Sequence, residues 1–168
     1  MPKIIENLEN RLMSEARKQI ETIGYAATTI RSVAAGCGVG VGTVYNYFAS
    51  KDDLAAAYLL EDWKCCIAAI CAVSAEAETP KPVVQSIFQQ LRLFSRRHQA
   101  VFQDKEAAAS FTGSFSRYHG LLRSQLAAPL EPFCGSRFSA EFIAEALLTW
   151  TMAGTEFDDL YGMIGKLF

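Results

Sequence analysis

Apolar side chains return every three or four positions along most of the chain, with polar and charged residues between them. Near the start, Ile4, Leu8, Leu12, Ala16 and Ile20 keep this spacing, which predicts a helix over residues 3–23. Gly24 follows as its stop, and Thr28 or Thr29 caps a second helix running to about Gly36. A third, short helix is expected over Val41–Phe48. Ser50 then fits an N-cap with Asp53 at the third helical position, close to a capping box, and Asp52 and Asp53 suit the positive end of a helix. That fourth helix can run through Tyr58, Trp63, Ile67 and Ile70 to about Ala77. Thr79-Pro80-Lys81-Pro82 is the clearest break in the chain.

Beyond the break, Val84, Ile87, Leu91 and Phe94 share one face of a fifth helix over Val83–Arg97. A shorter helix is expected over Gln99–Ser110, a break at Gly113, and another helix over Ser114–Leu126. Pro129, Pro132 and Gly135 mark a loop. Ser139–Ala153 and Thr155–Phe168 form the last two helices, with Gly154 between them. No stretch carries a convincing strand pattern, so the fold class is all-α. In the penultimate helix Phe142, Ala146 and Trp150 recur at i, i+4 and i+8, and Leu147 lies in the neighbouring row. Phe157, Leu160, Tyr161 and Ile164 make a second stripe in the last helix. Together these stripes are wider than one helix pair buries, so two copies of the chain are expected to meet there.

Val33–Leu54 reads V-A-A-G-C-G-V-G-V-G-T-V-Y-N-Y-F-A-S-K-D-D-L. Small residues lead into Gly38, which stands where a helix-turn-helix needs a residue tolerant of positive φ. Val39 and Val44 supply apolar contacts to lock a second helix onto the first. That second helix is too short to persist alone, so packing must hold it. Braced in this way, with Thr43, Tyr45, Asn46 and Tyr47 on or near its outer face, it suits a DNA major groove.

The stretch Thr28–Leu54 resembles the DNA-binding segment of TetR-family (tetracycline-repressor-like) transcriptional regulators. Gly42, Thr43, Val44, Tyr45, Tyr47, Phe48, Ser50, Lys51 and Leu54 match that family's pattern in order and without a gap. The departures are Cys37 at a usually smaller residue, Gly40 where Ser or Thr often caps the recognition helix, and Val41 at a position often polar. The resemblance implies a helix-turn-helix head over residues 1–50 and a helical effector-binding and dimerisation body over residues 51–168. Arg31 and Thr43 are then the expected base contacts. Tyr45, Tyr47 and Lys51 match phosphate-contacting positions, Thr29 adds a phosphate contact, and Asn46 reads adenine or holds phosphate. Val41 and Gly42 complete the expected DNA-binding surface.

The resemblance also implies a homodimer built from the last two helices through Phe142, Ala146, Leu147, Trp150, Leu160 and Ile164. It implies a small-molecule effector in an aromatic body, with Trp63, Phe88, Phe111, Phe115, Tyr118 and His119 as candidates. The implied partners are a double-stranded, pseudo-palindromic DNA operator, an effector and a second copy of the chain, with no cofactor. The implied role is a cytoplasmic regulator, a repressor released by its ligand.

Composition changes this picture little. The chain has 168 residues, 51% of them hydrophobic, enough for a head and a fused body with a core. The net charge of −2 is not that of a typical nucleic-acid binder. Residues 1–51 carry six Lys and Arg against four Glu, a modest excess of the right sign for phosphate. Five cysteines with no leader-like apolar start point to reduced thiols, and the longest uncharged apolar run, Cys65–Ala75, falls short of the ~20 residues of a membrane helix. Cys66 and Cys71 stand ~140° apart around one helix, and Cys65 and Cys71 ~120° apart the other way, so they do not converge. No metal spacing and no catalytic constellation accompany His98, His119 or the cysteines, so no catalytic or metal residue is assigned. Gly36, Gly38, Gly40 and Gly42 do not meet the dinucleotide pattern. Two alternatives remain: an enzyme using the body, for which no constellation is found, and a helical interaction or small-molecule-binding module without specific DNA binding.

Overall fold

The computed structural model describes the backbone of residues 7–168, and the side chains of that range except at positions 108 and 110–118. Ile4 and the side chains of Phe111, Phe115 and Tyr118 therefore lie outside the described residues. The described chain is helical throughout and contains no strand. In order, the helices are α1 (Leu8–Ile23), α2 (Ile30–Gly36), α3 (Val41–Tyr45), α4 (Lys51–Glu76), α5 (Pro80–Arg97), α6 (Gln99–Phe102), α7 (Lys105–Ala127), α8 (Arg137–Met152) and α9 (Phe157–Ile164). Short 3₁₀ turns cover Ala128–Phe133 and Gly165–Leu167.

The stops and caps follow the sequence closely. Gly24 ends α1 at φ 87 and Gly154 follows α8 at φ 89, backbone that only glycine adopts without strain. Thr29 caps α2, accepting from the Ser32 N–H while Ser32 Oγ accepts from the Thr29 N–H, each at 3.0 Å. Ser50 Oγ accepts from the Asp53 N–H at 3.0 Å, the expected start of α4.

Two expectations fail. The third helix ends at Tyr45, and Tyr47 and Phe48 turn back onto the Val44 carbonyl. The break assigned to Gly113 is absent: α7 runs unbroken from Lys105 to Ala127. One glycine costs a helix about 1 kcal/mol, which a helix of this length absorbs. The break lies earlier, because α6 ends at Phe102 and Asp104 starts a new helix, its Oδ1 accepting from the Glu106 and Ala107 N–H groups at 2.8 and 3.1 Å.

The chain divides into two compact units, Met1–Asp62 with His98–Thr112, and Trp63–Arg97 with Gly113–Phe168. The first unit has two apolar clusters. One joins α1, α2 and α3 through residues such as Leu12, Val33, Val44 and Phe48. The other gathers Ile20, Tyr25, Ala55, Tyr58, Val101 and Ala107. The second unit has one larger core, in which Ile87 and Leu91 of α5 meet Ile143 and Leu147 of α8, with Leu160 and Ile164 of α9 beside them.

Candidate nucleic-acid interface

The turn between α2 and α3 is built from backbone. Gly38 sits at φ 67, and the Val39 N–H reaches back to the Ala34 carbonyl at 3.0 Å. Arg11 of α1 locks the turn, its Nη2 donating to the Cys37 carbonyl at 2.9 Å, while Cys37 Sγ lies 3.5 Å from the Arg11 carbonyl. Burial pushes the Cys37 thiol above its ordinary value, so it packs as an inert side chain rather than a reactive thiolate. Gln19 fastens α1 to α2 as well, accepting from Ser32 Oγ at 2.6 Å and donating to the Ser32 carbonyl at 3.1 Å.

A helix as short as α3 does not persist alone. Val44, 0% exposed, and Phe48 hold it against α1 and α2. Its N-cap, Gly40, offers no side-chain bond, and its carbonyl takes the Thr43 N–H at 2.9 Å. With the inner face spent on the core, Tyr45 (54% exposed), Asn46 and Tyr47 face outward. Gly42 has open space where a Cβ would stand, so another backbone can approach closely there. Arg31 is exposed in the first turn of α2. An arginine fork, an amide and two phenols are the groups that meet base edges and phosphates.

Other expected contacts are differently employed. Val41 is half-buried against the head core, and Thr43 is half-buried. Thr29 Oγ1 is occupied as the α2 cap. Lys51 is tied down, its Nζ donating to the Tyr25 carbonyl at 3.1 Å and to Glu106 Oε1 at 2.8 Å, above the Tyr25 ring. Arg17 is bound to Asp62 at 2.7 Å. Much of the head's small positive excess is therefore committed internally.

Sequence reasoning missed the strap that residues 98–107 lay on this unit. The Tyr25 hydroxyl donates to Asp52, and burial first, then that bond, pushes its ionisation far above the usual range. His98, to which the sequence assigned no role, is 2% exposed, with Nε2 3.0 Å from Asp62 Oδ2 and its ring against Tyr58. The one available signal was Asp104 two residues before Glu106, a cap pattern hidden inside an expected helix.

In the second unit, Trp63 is buried, donating from Nε1 to Gln125 Oε1 at 2.6 Å, with its ring edge-on to Phe94. Phe88 is buried and edge-on to Phe157. His119 lies 3.6 Å from Glu145 of α8. Two open surface depressions are lined by other residues, one around Asn7, Arg11 and Lys18, the other around Val73, Ala77 and Pro82. Of the expected pairing residues, Leu147, Leu160 and Ile164 belong to the protomer's own core, Ala146 is half-buried, and Phe142 and Trp150 are more than half exposed. No described helix is long and apolar enough to cross a membrane.

Comparison with known proteins agrees with this geometry. The family profile for bacterial regulatory proteins of the tetR family matches residues 12–58, the span from mid-α1 to early α4. Over 53 residues the chain is 38% identical to the HTH-type transcriptional regulator HbdR of Aromatoleum sp. (strain CIB), a match covering 32% of this chain and 23% of that relative. Over nearly the full length the fold is that of two solved structures. One is the transcriptional regulator SCO7518 from Streptomyces coelicolor A3(2), with TM-score 0.74 and 14% identity over 96% of this chain and 98% of that one. The other is the TetR family repressor AlkX from Dietzia sp. strain DQ12-45-1b, with TM-score 0.64 and 18% identity over 94% and 91%. A short helix braced behind a glycine turn and the matched head make residues 12–58 of this chain similar to the TetR family of bacterial regulatory proteins, and the whole chain shares the helical fold of solved regulators.

Proposed function

We propose that the protein is a ligand-responsive transcriptional regulator, a repressor that binds a pseudo-palindromic DNA operator as a homodimer in the cytoplasm and leaves it when a small molecule binds the body. The observation that carries this reading is α3, with its inner face locked by Val44 and Phe48 and with Tyr45, Asn46 and Tyr47 left outside. Arg31 and Thr43 read base edges, while Tyr45, Tyr47 and Lys51 hold phosphate. Two copies fit the task because half-sites about 34–36 Å apart present successive major grooves on one side of the duplex. The repressor sign has support in AlkX, a TetR family repressor of the same fold. The polar pair His119 and Glu145, on helices that also carry aromatics, is where an effector meets charge in the body.

A second reading has its own observation. Gly40 gives α3 no side-chain cap and Val41 turns toward the core, which leaves the recognition helix with few polar groups. A helical interaction or ligand-binding module without specific DNA binding fits that feature.

A salt-dependent gel shift on the DNA upstream of the protein's own coding sequence separates the two. Specific binding is expected, with Arg31→Ala and Thr43→Ala relaxing base preference by about 1–3 kcal/mol. Equal affinity for upstream and unrelated DNA in parent and variants would support the second reading.

A further inference from the structure

Lys51 has a rival for DNA. Its ammonium carries three protons, of which one goes to the Tyr25 carbonyl at 3.1 Å and one to Glu106 Oε1 at 2.8 Å. The Lys51 side chain is only 18% exposed, with its Nζ 4.2 Å from the centre of the Tyr25 ring, while that of Glu106 is 55% exposed. The anchored end of the interaction is therefore the lysine, and the movable end is the carboxylate. A second carboxylate, Asp104, is held nearby by the Ala107 and Glu106 backbone N–H groups. Those bonds, with a smaller contribution from the Lys51 charge, keep Asp104 below the ordinary aspartate range.

A DNA phosphate and the Glu106 carboxylate are both oxyanions, and both seek the same ammonium. They cannot share it cheaply, because like charges brought within a few ångströms repel. We propose that Glu106 is an internal competitor for the phosphate contact of Lys51, an autoinhibitory clasp that holds down DNA affinity while the first turn of α7 is docked on the head. The proposal rests on the DNA-binding reading above and concerns the regulation of that same site. Tyr25 keeps the ammonium in place through its carbonyl while the carboxylate and phosphate exchange.

The clasp makes a specific electrostatic prediction. A lysine already neutralised by Glu106 releases no counterion when DNA binds, whereas an unclasped lysine releases about one. Four proteins test this: the parent, Glu106→Gln, Lys51→Met and the double variant. Each is titrated into a labelled random-sequence duplex over a range of salt concentrations, with its far-ultraviolet signal and melting temperature recorded as fold controls. Glu106→Gln is expected to bind about two- to five-fold tighter than the parent, the size of an exposed ion pair, and to steepen the salt slope by about 0.9. In the Lys51→Met background, Glu106→Gln is expected to change neither quantity.

Equal tightening in both backgrounds would overturn the proposal, because it would show only the loss of a negative charge near DNA. No tightening in either background would overturn it as well. A parent that shows no salt-dependent DNA binding at all would overturn the DNA-binding reading itself, and the clasp with it. That outcome is distinct from a parent that binds and a Glu106→Gln variant that binds no better.

Discussion

Helices α1 and α8 each have sixteen residues, yet they present opposite outer surfaces. α1 buries one stripe, Leu8, Leu12, Ala16 and Ile20, and covers its outer side with Glu9, Asn10, Lys18 and Glu21. α8 buries Ala140, Ile143, Ala144, Leu147, Leu148 and Thr151, and still exposes Phe138 (75%), Phe142 (53%), Trp150 (55%) and Met152. A helix with one apolar stripe is complete within its own chain. A helix apolar on two sides needs a second cover. The difference separates residues that hold the protomer together from those available to the proposed pairing.

The largest effect expected from that contrast is in the cores. Leu12→Ala in α1 and Leu147→Ala in α8 each remove a side chain that is 0% exposed, and each is expected to cost about 2–5 kcal/mol of unfolding free energy. Chemical denaturation checks this, and a loss below about 1 kcal/mol at Leu147 would move that residue out of the core. A charge at Leu147 or Ile164 would therefore unfold the chain rather than give a folded monomer.

The outer face of α8 is expected to behave in the reverse way. Trp150→Glu with Phe142→Glu should leave the helical signal and melting temperature of the monomer nearly unchanged. The dimer dissociation constant should rise at least about thirty-fold, the loss of one central aromatic anchor worth about 2 kcal/mol. Sedimentation over a concentration series reads this directly. A double variant that still sediments as the parent does would assign the exposed aromatics of α8 another role.

How much of this contrast the sequence carried depended on the range of the interactions. Gly24, Gly38, Gly154, Thr29 and Ser50 were legible because each acts on backbone within a few residues. The α2–α3 turn was legible for the same reason. Periodicity marked Leu147, Leu160 and Ile164 as apolar, but it could not tell a face covered by the chain itself from one covered by another copy. The strap was hidden because its bonds join residues far apart in sequence, Lys51 with Glu106 and His98 with Asp62, and the Arg17–Asp62 pair beneath it is equally long-range. Charge counting could not reveal that these head cations are already engaged.

The smallest expected effect concerns the cap that opens α7. Asp104 is held below the ordinary aspartate range chiefly by the Ala107 N–H. A carboxylate with a lowered native pKa adds stability that is full above its unfolded value and is lost as pH falls through its native one. Melting curves of the parent and Asp104→Asn should therefore differ near neutral pH and converge in acid. A difference that persists unchanged through the acid range would show that the Asp104 charge does not contribute.

In the proposed function, α3 reads DNA in a symmetric pair. The most direct measurement is selection of bound duplexes from a random library by the full-length protein, followed by sequencing. The expected result is enrichment of a pseudo-palindrome whose half-site centres lie about 10–10.5 base pairs, or a multiple of that, apart, with the enrichment lost on Arg31→Ala. A library that emerges unenriched, or one enriched equally by parent and variant, would contradict it.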